Sequence, residues 1–158
     1  MNVVIIEDEI VAANNIQQAL RGYSEKIEVL AIIRSVHEAV SWLRENISNV
    51  NLLFMDIQLT DGLSFEIFES LEIRKPIIFT TAFDEFAIQA FKVNSIDYLL
   101  KPIASKDVSK ALDKLRLLQN AEPIIDYGQL ARQVKISTVQ YKSRFLVSHK
   151  NALISIPT

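Results

Sequence analysis

The chain has no cysteine, which excludes a disulfide framework and a thiolate metal site and suits a reducing compartment. No apolar run approaches the roughly 18 residues that a bilayer crossing requires. The opening, MNVVIIEDE, meets acids at once and carries no basic leader. A cytoplasmic protein without membrane contact is the expectation. Only two histidines occur; His37 opens a predicted helix and His149 falls in a polar turn, neither with a second histidine beside it to share a metal. Residues 127–158 lack acids altogether. They hold five of the 17 bases, for a charge of +5, which leaves 12 bases against 19 acids, or −7, in residues 1–126. This reversal marks two parts, the second either facing nucleic acid or forming a solvated basic tail. What is present is a chain of 158 residues, 49% of them apolar, enough for one domain that buries roughly two-thirds of its unfolded surface.

Apolar patterning divides the first part into alternating elements. NVVII (2–6), IEVLAII (27–33), NLLFM (51–55), PIIFT (76–80) and IDYLL (96–100) read as strands, most of them apolar enough to be buried on both faces. Between them, Ala13, Ile16, Leu20 and Tyr23 recur at helical spacing, with Gly22 placed to end the helix. Val36, Val40, Leu43 and Ile47 form a second stripe, opened by Ser35 as a cap with Glu38 three residues on. Leu63, Ile67 and Leu71 predict a short helix, EFAIQAFK (85–92) another, and Val108, Ala111, Leu112, Leu115 and Leu118 a last amphipathic one. Five strands alternating with five helices imply right-handed crossovers and a doubly wound α/β domain over residues 1–119.

In such sheets ligands bind beyond the carboxyl ends of the strands, where the strand order reverses. Glu7 and Asp8 follow strand one, Asp56 strand three, Thr80 and Thr81 end strand four, and Tyr98 leads to Lys101 and Pro102 at strand five. If strands one and three are neighbours, three carboxylates converge and need a cation. Oxygen donors alone favour magnesium over zinc, and a lysine opposite would hold a second anion, most simply a phosphoryl group. Each residue also has an ordinary structural reading. Glu7 or Asp8 can cap helix one, Asp56 can close a strand, Asp61 and Gly62 can form a plain turn, Thr81 can cap the next helix, and Lys101 can be a surface charge. Their joint occurrence at four of five strand ends favours a common site.

The motifs IIEDE, LLFMDIQLTDG, FTTAFDEFAIQAF and DYLLKPI together resemble those of a two-component response-regulator receiver domain, in order and at normal separations over residues 1–119. The resemblance implies a flavodoxin-like fold, CheY-like, with a five-stranded parallel sheet in the order 2-1-3-4-5. It implies that Asp56 accepts a phosphoryl group from a sensor histidine kinase, and that Glu7, Asp8, Asp56 and the backbone carbonyl of Gln58 hold magnesium. Lys101 would bind a phosphoryl oxygen, Thr81 another, and Tyr98 would rotate into the space Thr81 leaves. The Lys101–Pro102 bond is expected to be cis. The family links the position two beyond the threonine, here Phe83, to phosphoryl lifetime; Phe83 is expected to restrict water, an idea that an unchanged half-life in Phe83→Asn would overturn. Phe83 and Phe86 suggest a controlled contact surface, with homodimerisation through helix four (85–92), strand five and helix five.

Residues 120–140 read as a linker. YKSRFLVSHKNALISIPT (141–158) alternates as two strands turning near His149–Asn151, and resembles the opening of a LytTR DNA-binding domain; the receiver wording FTTAFDEFA and DYLLKP is also typical of LytTR regulators. The output domain is expected to be truncated at Thr158, with DNA contacts in its missing part. An isolated hairpin is marginal and carries unpaired edges, so packing on the receiver or pairing with another chain is expected. Competing readings are a stand-alone receiver acting through protein contacts, an aspartyl-phosphate phosphotransferase or phosphatase of the haloacid dehalogenase kind, and a flavin-binding module. Gln58 stands where the second needs an aspartate, and Glu7 and Asp8 where the third needs a phosphate loop.

Overall fold

The β-branched run at the amino end forms the central strand that the rest of the domain is built around. A computed structural model describes residues 1–82 and 95–119, together with the backbone of 145–149 and 152–156. Strand β1 (Asn2–Ile6) pairs in parallel with β2 (Glu28–Ile33) on one side and β3 (Leu52–Asp56) on the other; β4 (Ile77–Thr81) and β5 (Asp97–Leu100) extend the sheet beyond β3. The order is therefore β2-β1-β3-β4-β5, the flavodoxin-like arrangement. From β1 the chain crosses one way to β2 and returns past β1 to β3, so the order reverses between β1 and β3.

Because side chains alternate along a strand, each central strand supplies two cores. Val4, Ile6, Leu53, Met55, Ile77 and Phe79 face one side, with Ala39 and Leu43 of helix α2 (Val36–Asn46) and Ile67 of the short α3 (Ile67–Ser70) packed on them. Val3, Ile5, Leu52, Phe54 and Ile78 face the other, covered by Ile16 and Leu20 of α1 (Ile10–Tyr23) and Leu112 and Leu115 of α4 (Ser105–Leu118). Both helical layers are thus held by sheet residues one position apart. At the far end of the α1–α4 contact, the Tyr23 hydroxyl donates to Asp113 Oδ1 at 2.7 Å and the Arg116 guanidinium lies over the Tyr23 ring.

Three local expectations differ from what is observed. Gly22 does not end α1: the helix runs to Tyr23, and Ser24, in extended conformation, closes it with its N–H donating to Leu20 O. Strands three and four each end one residue later, which makes Asp56 and Thr81 strand residues. Asp61 is more than a turn residue. Its carboxylate accepts from the N–H groups of Val36 (2.8 Å) and His37 (3.1 Å) at the start of α2, while Gly62 takes a positive φ of 156° beside it. Ser35 caps α2 as expected, accepting from Glu38 N at 3.1 Å, but Glu38 returns its bond to Arg34 N rather than to the cap residue.

Strands β6 (Phe145–His149) and β7 (Ala152–Ile156) pair antiparallel, Phe145 opposite Ile156 and His149 opposite Ala152, as the alternation predicted. The helix over 85–92, Phe83 and Phe86 within the proposed contact surface, and the linker lie outside the described residues. No described helix is long and apolar enough to cross a membrane.

Candidate acidic phosphoryl site

The reversal between β1 and β3 leaves a cleft at the carboxyl end of the sheet, and backbone pairing carries acids into it. Glu7 follows β1, its N–H donating to Ile33 O at 2.8 Å, so its position is set by β2 as well. Asp56 closes β3 opposite Thr80 of β4, and the next residue, Ile57, donates its N–H to Thr80 O. Lys101 follows β5, with its N–H on Thr81 O at 2.9 Å and a cis bond to Pro102. Ladder bonds thereby fix the backbone of each residue before its side chain is considered.

Three carboxylates meet there. Glu7, Asp8 and Asp56 each offer an oxygen, and these atoms lie within 4.8 Å of one another. Glu7 is 1% exposed and Asp56 4%. The Lys101 ammonium spans them, donating to Asp56 Oδ2 at 2.6 Å, Glu9 Oε1 at 2.7 Å and Glu7 Oε1 at 2.8 Å. Glu7 also accepts from the Thr80 hydroxyl at 3.2 Å through Oε2, and from Glu9 N at 3.2 Å through Oε1. Gln58 N donates to Asp56 Oδ1 at 3.1 Å, folding the following loop over the carboxylate.

Burial pushes the Glu7 carboxyl up to about 7; the Lys101 hydrogen bond opposes this and the neighbouring Asp56 charge adds to it. Burial also disfavours the charge on Lys101, but its bonds to Asp56, Glu7 and Glu9 outweigh that and raise it above the ordinary lysine value. The outcome is an anionic cleft of about 420 Å³ whose floor is Asp56 and whose wall carries one ammonium, with Gln58, Thr60, Thr81 and Asp8 at its rim. Donors that are all carboxylate oxygens, close enough to share an ion, fit a hard divalent cation such as magnesium better than zinc, which favours nitrogen and sulfur ligands.

Of the residues expected from the sequence, Glu7, Asp8, Asp56 and Lys101 come together, and Thr81 and Gln58 line the same cleft. Tyr98 stands on the edge strand opposite Phe79, half-buried against the α2-side core, lining a separate cleft with Asp97 and Lys110. Phe83 lies outside the described residues. Two contacts were missed. Glu9 pairs with Lys101, a signal available as the third acid of the EDE run, and the Thr80 hydroxyl bonds Glu7, which requires knowing that β1 and β4 flank β3.

A family model for the response regulator receiver domain matches residues 3–113. Sensory transduction protein LytT of Bacillus anthracis is similar over 159 aligned residues at 28% identity, covering 99% of this chain and 63% of that protein. Transcriptional regulatory protein BtsR of Salmonella typhi is 39% identical over 118 residues, 73% of this chain and 48% of its own. Transcriptional regulatory protein LytR of Staphylococcus aureus (strain N315) is 33% identical over 121 residues, 73% and 47% respectively. The chain spans about half to two-thirds of the length of these curated relatives. Among solved structures, the response regulatory domain of protein mrkE from Klebsiella pneumoniae aligns with a TM-score of 0.62 at 27% identity, covering 77% of this chain and 100% of that one.

Proposed function

This chain belongs to the response regulator receiver domain family, and from that premise we propose that Asp56 accepts a phosphoryl group from a phosphohistidine of a sensor histidine kinase. The single observation that supports this best is the 2.6 Å contact between Lys101 Nζ and Asp56 within the three-carboxylate cluster. An Asp56 oxygen attacks phosphorus, the phosphorus–nitrogen bond breaks, and the electron pair returns to the kinase imidazole. Lys101 shifts one donor to a phosphoryl oxygen, and the Thr81 hydroxyl reaches another. Glu7, Asp8 and Asp56, with the Gln58 carbonyl, are the residues to hold magnesium, which when bound neutralises the charge gathering on the transferred group.

Thr81 and Tyr98 sit on adjacent strands; Tyr98 is proposed to follow Thr81 when it moves and to alter the β5 edge. That edge, with the 85–92 segment and α4, is the proposed homodimer face. Similarity to LytT across nearly the whole chain supports a LytTR-type regulator acting in the cytoplasm, in which residues 1–119 are the receiver, 120–140 a linker, and 141–158 the start of the DNA-binding output. The protein's own chemistry is then limited to gaining and losing a phosphoryl group.

Incubation with acetyl phosphate and magnesium tests the central step. Intact mass should show one phosphoryl adduct on the wild type and none on Asp56→Ala; an adduct on both would assign the acceptor elsewhere.

A further inference from the structure

The Lys101 ammonium has three N–H donors, and the structure engages all of them: Asp56 at 2.6 Å, Glu9 at 2.7 Å and Glu7 at 2.8 Å. A lysine with no donor to spare cannot take a phosphoryl oxygen until one partner lets go. The three partners differ in what release would cost. The Glu7 side chain is fully buried and that of Asp56 is 5% exposed, so water cannot replace the lysine at either without rearrangement. The Glu9 side chain is 61% exposed and its carboxylate can return to solvent. Glu9 also stands outside the trio of oxygens that could share a metal ion, so a bound cation does not draw it from the lysine.

We propose that Glu9 is an internal competitor at the phosphoryl site: its carboxylate occupies the Lys101 donor that a phosphoryl oxygen takes, and it is the partner displaced when the group arrives. This rests on the reading of Asp56 as phosphoacceptor and deepens it. Glu9 is a positioning residue, acting through Lys101. It holds the lysine over Asp56 in the resting protein and sets how much anion is needed to turn it. Its position permits a clean test, because Glu9 is the N-cap residue of α1 yet makes no side-chain capping bond; truncating it removes no cap.

The experiment titrates the whole chain with beryllofluoride at saturating magnesium, and separately with magnesium alone, by calorimetry, for wild type, Glu9→Ala and Glu9→Asp. Aspartate keeps the charge but is one methylene too short to reach Nζ. Both variants should bind beryllofluoride about three- to fivefold more tightly, the size expected for releasing one exposed ion pair, with magnesium affinity unmoved. Tightening in Glu9→Ala but not in Glu9→Asp would make the effect one of local field and overturn the proposal. So would unchanged anion affinity in both, or an equal change in magnesium affinity. A wild type that binds no beryllofluoride at all would instead sink the reading of Asp56 itself, and this proposal with it.

Discussion

Glu7 is the residue at which burial and charge are most opposed. Its carboxyl is pushed to about 7 from an ordinary 4.5, first by desolvation. In that interval the folded protein retains a proton that the unfolded chain has released, so Glu7's contribution to stability is complete at the acid end and declines as pH rises toward 7. In metal-free buffer, the thermal midpoint of the wild type relative to Glu7→Gln should fall between about pH 5 and about pH 7; a difference constant with pH would show that Glu7 is ionised throughout. Sequence placed Glu7 in the acidic cluster but not at this value, because the shift depends first on burial in the folded sheet and then on the Lys101 and Asp56 side chains, which arrive from the ends of two other strands.

At the scale of elements, boundaries depended on how far away the deciding partner lies. The Ser35 cap is local, four residues of one helix start, and was legible. The second cap of α2 comes from Asp61, 25 residues along the chain, and only the fold brings it there. Its two backbone acceptor contacts predict that Asp61→Ala loses about 1 kcal/mol in thermal or chemical denaturation, and that Asp61→Asn recovers part of the loss by keeping one acceptor. No change in Asp61→Ala would mean that solvent replaces both bonds at no cost. The extension of β3 to Asp56 has a similar origin. A carboxylate ends an apolar run in any sequence reading, yet the ladder with β4 continues through it.

The whole domain is a sheet with a core on each face, and the site lies where the two crossovers diverge. Phe79, 1% exposed, packs its ring 5.5 Å from that of Phe65 and directly precedes Thr80, the residue bonded to Glu7. Phe79→Ala is expected to lose about 3–5 kcal/mol on denaturant unfolding, and to weaken magnesium binding by loosening β4; a loss under about 1 kcal/mol would show that α3 closes over the gap. The order of the strands and of the described helices, the α/β class and the acids at the strand ends followed from the residues alone, because β-branched runs, helical stripes and terminal carboxylates are properties of short segments. Proximity did not. That Glu7, Asp8 and Asp56 offer oxygens within 4.8 Å of one another, that Lys101 gives its last donor to Glu9, and that Thr80 meets Glu7 were decided by strand order and register. Those are set by packing both faces at once, which no single segment contains.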